Sequence, residues 1–199
     1  FTFIAKLPKI TDKGNKAKVK LINEILLILF NEFIVEFISD NIINSYLHKN
    51  KFKISIAGGG SCENEAKELV RKRGMQDLVK FFGWIEGAQL EELLNNSDIL
   101  VLPSWAEGFP NAVIEAMASG LAVVVTSVGN IPDILTHDLE ALLVTPKDKV
   151  SLTTAILRLV DDENLRHSIA LKGHEFSAEN FSVEKAASKL EKLIYSVID

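Results

Sequence analysis

DILVLPSWAEGFPNAVIEAMASGLAVVVT, residues 98–126, sets one helical segment between two apolar runs. The runs DILVLP (98–103) and LAVVVT (121–126) are short and rich in β-branched residues, and Pro, Ser, Asp or Gly bound them. Neither alternates polar with apolar, as a half-solvated strand would. Both read as strands covered on two faces, the mark of a parallel sheet between helices. The segment at 110–119 carries helical spacing, with Pro110 suited to the first turn, where a missing N–H is harmless.

Outward from this unit the same alternation continues. FTFIA (1–5), KISIA (53–57), VKFFG (79–83) and ALLVT (141–145) read as further strands, giving about six. Helical segments are expected at roughly 20–47, 63–73, 88–95, 130–136, 149–160, 162–173 and 182–198. The expected fold is α/β: a Rossmann-like, doubly wound parallel sheet forming one domain over residues 1–199. The chain is 47 % apolar, enough for a sizeable core. Its formal net charge of −5 argues against a nucleic-acid partner, which would demand a basic face. A lone cysteine, Cys62, allows no internal disulfide and suggests a reducing, cytoplasmic setting. One cysteine and four scattered histidines do not compose a metal site. The chain opens at Phe1 without Met, as a piece of a longer protein would.

Ligands of such sheets bind beyond the carboxyl ends of the strands. After DILVLP stand Glu107 in the loop and Glu115 in the helix. At 100° per residue, Asn111, Ala112, Ala118 and Ser119 share the face of Glu115, while Val113 and Met117 lie opposite. The large apolar side therefore packs on the sheet, and the glutamate stands among small residues with room for a ligand. The helix N-terminus offers unpaired N–H groups to a phosphate. Two glutamates at this spacing are, on their own, more often solvated.

After KISIA comes GGGSCENE (58–65), where Gly58 and Gly59 permit close backbone approach to a ligand, or simply a tight turn capped by Ser61. The dinucleotide pattern GxGxxG fails at Glu63, and no Gly-Lys-Ser/Thr follows. Lys6 and Lys13 follow FTFIA in a basic loop at 6–18 and could neutralise a diphosphate. Gly129 and Asn130 after LAVVVT read as turn chemistry. The segment 20–47 reads as a long apolar helix packed on the sheet, with contact to a membrane or another chain as the sharper alternative. Its longest apolar run, Ile25 to Phe30, is far short of a membrane span.

In order, AGGG (57–60), VKFFGWI (79–85), SDILVLPSWAEGFPNAVIEAMASGLAVVVTSVGNIPDIL (97–135) and ALLVTPKD (141–148) resemble the C-terminal, nucleotide-sugar-binding domain of retaining GT-B glycosyltransferases of family 4. LRLVDDENLRHSI (157–169) and FSVEKAASKLEKLIYSVI (181–198) extend the resemblance to the end. The pair Glu107 and Glu115 falls on that family's E-x7-E motif, which replaces the solvated reading of the two glutamates.

The resemblance implies a transferase that needs no metal or other cofactor and takes a UDP- or GDP-sugar as donor. Glu107 would meet the sugar as the catalytic carboxylate, and Glu115 the ribose. Gly108 and the amides of Phe109, Asn111 and Ala112 would lie at the diphosphate and sugar. Gly58 and Gly59 would line the donor site, and the base would run along the main chain of Trp84 and Ile85. Ala5-Lys6 stands where the family has Gly-Arg, and Lys13-Gly14 follows slightly late, so both lysines are carried over as diphosphate binders with a point charge in place of a planar fork.

The acceptor, a glycan or a lipid-linked sugar, would be bound by an N-terminal domain that this chain does not contain, so this piece alone is expected to be inactive. The resemblance also suggests bacterial surface polysaccharide synthesis, with peripheral contact at the inner face of the membrane. Two other readings use the same fold: a nucleotide-sugar epimerase, which would need further carboxylates, and a non-catalytic nucleotide-sugar-binding module.

Overall fold

The computed structural model describes residues 24–28, 33–49 and 52–198. Its sheet has six strands, all parallel: β1 (Glu24–Ile28), β2 (Lys53–Ala57), β3 (Val79–Gly83), β4 (Ile99–Leu102), β5 (Ala122–Thr126) and β6 (Leu142–Val144). Their order is β3-β2-β1-β4-β5-β6. The chain thus runs outward from β1 to β3, returns to the other side of β1, and runs outward again. Strands β1 and β4 are neighbours at the point where the winding reverses, the place where such sheets open a crevice.

The helices are α1 (Phe33–Ser39), α2 (Asn41–His48), α3 (Glu63–Lys72), α4 (Ala88–Asn96), α5 (Asn111–Ala118), α6 (Ile131–Ile134), α7 (Lys149–Asp161), α8 (Glu163–Phe181) and α9 (Val183–Ile198). Two cores result, one on each face of the sheet. Ile99, Val101, Ala122 and Val124 join Phe37, Ile43, Leu47, Val70, Leu152, Ile156 and Leu159 of α1, α2, α3 and α7. Leu100, Leu102, Val123 and Val125 point the other way, into Leu93, Val113, Met117 and Ile131 of α4, α5 and α6. Alternate residues of β4 and β5 therefore go to different cores, and both are apolar. Burying a Val or Leu contributes about 1.5–3 kcal/mol, so polar residues on either face would be costly.

Segment 20–47 is not one helix. Residues 24–28 form the strand between β2 and β4, and two helices follow, parted at Asp40. The Asp40 carboxylate accepts from the amides of Ile42 (2.8 Å) and Ile43 (3.3 Å), which starts α2 afresh. A short unbroken apolar run fits a buried helix or a central parallel strand equally well; the demand for a strand between β2 and β4 settles it. FTFIA lies outside the described residues. Among the described residues no helix is long and apolar enough to cross a membrane.

Helix α8 runs past Gly173, where a stop was expected. Gly173 is buried where α8 crosses α5: a Cβ there would stand 3.1 Å from the Glu140 carbonyl oxygen and 3.2 Å from Met117 Cγ. The glycine serves close packing, not termination. One residue on, His174 Nδ1 donates to the carbonyl oxygen of Ala118 at 3.0 Å, satisfying an acceptor left open at the end of α5. Ser61 does not cap α3; its N-cap is Cys62, whose side chain makes no capping hydrogen bond.

Candidate active site

Strand β4 delivers the chain to Pro103, and the loop Ser104–Pro110 leads into α5. Pro110 is the N-cap of that helix, with φ −75° and ψ 130°, and makes no side-chain capping hydrogen bond. The amides of Asn111 and Ala112 thus begin a helix whose positive end opens at the carboxyl edge of the sheet. Val113 and Met117 are fully buried against the sheet, while Asn111 is exposed and Ala112, Glu115 and Ser119 are half-buried, as the helical spacing predicts. Ala118, expected beside Glu115, is buried instead.

Glu115 pairs with no cation among the described residues, and its partial burial raises its pKa above the ordinary value. A carboxylate left desolvated and unpaired costs stability, and the residue is suited to a ligand that donates hydrogen bonds.

Glu107 is held differently. Its carboxylate accepts from Ser104 Oγ at 2.6 Å, and the Ser104 carbonyl accepts from Thr126 Oγ1 at 2.5 Å. The Gly108 carbonyl accepts from the Asn130 amide at 3.1 Å. Gly129, with φ +58°, lies so close that a Cβ on it would fall 1.8 Å from the Glu107 carbonyl oxygen. The end of β5 and the turn after it therefore cradle the Glu107 loop. Turn chemistry alone did not reveal this role of Gly129 and Asn130; the only signal was a glycine three residues past an apolar strand.

Phe109 turns away from the opening. Its ring stacks on Phe181 (5.4 Å between centroids, 16° between planes), and Phe176 meets Phe181 edge-on. The side chain anchors the loop to α8, leaving only its backbone for a ligand. On the loop's other flank, Lys147 (φ +61°) places Nζ 4.6 Å from the ring centroid of Trp105. That cation–π contact is a second feature without a sequence signal.

Gly58 (φ +109°) and Gly59 form the turn after β2, and the Gly58 amide donates to the Gly83 carbonyl at 2.7 Å. This joins the ends of β2 and β3 and brings Gly59 to the Trp84 indole, whose Nε1 lies 3.2 Å from a Cβ placed on Gly59. Trp84 is 76 % exposed, while Ile85 packs into the second core. The structure thus assembles two groups: Gly58, Gly59, Trp84 and Ile85 at β2 and β3, and Glu107, Gly108, Phe109, Asn111, Ala112 and Glu115 after β4. Lys6 and Lys13 lie outside the described residues.

Residues 39–176 match the model of the family described as "Glycosyl transferases group 1". This chain is a member of that glycosyltransferase family. It is 30 % identical over 146 residues to the N-acetyl-alpha-D-glucosaminyl L-malate synthase of Bacillus anthracis, covering 73 % of this chain and 38 % of that one. The glycosyltransferase chain spans under two fifths of the length of the curated relatives it matches first.

Among solved structures it resembles the C-terminal domain of the group 1 glycosyl transferase LpcC of Francisella tularensis, with TM-score 0.66, 24 % identity, and coverage of 81 % of this chain and 87 % of that one. It also resembles HepE of Anabaena, solved with UDP and glucose, with TM-score 0.67, 20 % identity, and coverage of 87 % and 48 %. The fold is that of a C-terminal GT-B glycosyltransferase domain.

Proposed function

We propose that the chain is the donor-binding half of a glycosyltransferase that takes a nucleoside-diphosphate sugar and passes the sugar, with retention, to an acceptor held by a domain outside this chain. The observation that carries this reading is Glu115, a half-buried carboxylate without a cation, on a helix whose uncapped N-terminus opens beside Glu107. Glu115 accepts hydrogen bonds from the ribose hydroxyls. The amides of Asn111 and Ala112 meet the diphosphate with the positive end of α5. The base lies beside Trp84 and Ile85; β2 and β4 are two strand steps apart, about 10 Å, an interval that an extended nucleotide bridges. HepE, of like fold, was solved with UDP and glucose, which supports a nucleotide-sugar donor.

In the transfer, the bond from the anomeric carbon to the diphosphate oxygen breaks and a bond to an acceptor hydroxyl oxygen forms. The hydroxyl proton is released, and the nucleoside diphosphate departs with the electron pair. Charge grows on the leaving diphosphate, so donors fixed at the start of α5 act most strongly in the transition state. Lys6 and Lys13 add to this if their loop reaches the phosphates; a double Lys6→Ala, Lys13→Ala change that leaves the diphosphate-to-nucleoside affinity ratio unaltered excludes them. The relatives' names make polysaccharide synthesis one setting for the reaction.

Glu107 touches the sugar, not the nucleotide. Glu107→Gln is therefore expected to leave affinity for the bare nucleoside diphosphate within about twofold while lowering transfer by the full-length protein about 100-fold or more. Calorimetry with the nucleotide and a transfer assay test this together. Equal losses in both would assign Glu107 to the nucleotide.

A further inference from the structure

Glu63 opens α3 directly after the glycine turn, and its two carboxylate oxygens face different ways. Lys67 Nζ donates to Oε1 at 2.6 Å, and the same ammonium lies 5.6 Å from the centroid of the Phe81 ring. Oε2 lies 3.3 Å from a Cβ placed on Gly59, the point that Trp84 Nε1 approaches to 3.2 Å. Carboxylate and indole thus both approach a glycine that has no side chain to part them. They form one wall at the ends of β2 and β3, with the indole largely exposed. An indole face stacks on any base and does not choose among them. A carboxylate accepts hydrogen bonds and cannot donate, so it does choose.

We propose that Glu63 reads the edge of the donor's base and selects guanine over uracil. This rests on the reading above that a nucleoside diphosphate binds with its base beside Trp84. Guanine presents N1–H and the N2 amino group side by side, two donors to one carboxylate. Uracil presents a single N3–H between two carbonyl oxygens, so a carboxylate at that edge meets an acceptor whichever way the base turns. The Lys67 contact fixes the direction of the Glu63 carboxylate, and a charge-assisted pair of this kind separates the two bases strongly.

Calorimetric titration of the full-length protein with GDP and with UDP, as wild type and as Glu63→Gln, tests the assignment. Wild type is expected to bind GDP about tenfold tighter than UDP, and Glu63→Gln to weaken GDP about tenfold while UDP holds or gains. Unchanged UDP binding also shows that the variant is folded, since a structural fault would weaken both nucleotides alike. Tighter UDP binding by wild type, or a GDP-to-UDP ratio that Glu63→Gln does not move, overturns guanine selection and leaves the donor site standing. Failure of wild type to bind either nucleotide overturns the donor site and this inference with it.

Discussion

Glu115→Gln is expected to weaken nucleoside-diphosphate binding by about 1–3 kcal/mol, the scale of losing charge-assisted hydrogen bonds, while leaving Tm unchanged or higher. The two effects share one cause. Burial without a cation raises the pKa of Glu115, so the folded state holds the proton more tightly than the unfolded state. Ionising the group therefore costs stability. That cost is absent below the unfolded-state pKa and complete above the folded-state pKa, so at neutral pH the neutral glutamine removes it. Binding follows the opposite sign. Ribose hydroxyls donate to the ionised form, so affinity falls on acidification, starting above the ordinary carboxylate range, and Glu115→Gln lacks this component. Thermal melts and calorimetry over pH check both. Lower Tm with unaltered affinity would make Glu115 a structural residue.

Gly129→Ala carries the larger penalty to the fold. A Cβ 1.8 Å from the Glu107 carbonyl oxygen cannot coexist with the loop as placed, and φ +58° disfavours any side chain by about 1–2 kcal/mol. Overpacking adds about 1–3 kcal/mol, and displacing Glu107 by about 1 Å is enough to cost roughly 100-fold in turnover. The expected outcome is a Tm several degrees lower and a transfer rate reduced about 100-fold. Gly74→Ala is the control: φ there is +67°, but nothing lies within 4 Å of its Cβ, so only the backbone strain appears. If the two variants lose equal stability and Gly129→Ala keeps full activity, the cradle under Glu107 does not position it.

The parallel sheet was legible because its strands bury both faces: LAVVVT reads as continuous apolar sequence for the same reason that Ala122 and Val124 enter one core and Val123 and Val125 the other. The face of Glu115 was legible from helical periodicity, since Val113 and Met117 occupy the opposite side. Periodicity failed at Glu24–Ile28, a run too short and too uniformly apolar to separate helix from central strand without its neighbours β2 and β4. Gly129 and Gly173 escaped for another reason. Their glycines answer backbone and side-chain atoms more than 20 residues away, Glu107 and Met117, and no local pattern records such a meeting. The family resemblance marked Glu107, but the support of its loop by Thr126 and Asn130 exists only once β4 and β5 stand side by side.

The most direct measurement is the release of nucleoside diphosphate from a panel of UDP- and GDP-sugars by the full-length protein, run beside Glu107→Gln. A glycosyltransferase donor site predicts that at least one donor yields free nucleoside diphosphate, and that Glu107→Gln binds that nucleotide but no longer releases it from the sugar. No binding of any member by wild type, or release that Glu107→Gln leaves untouched, would contradict the site described.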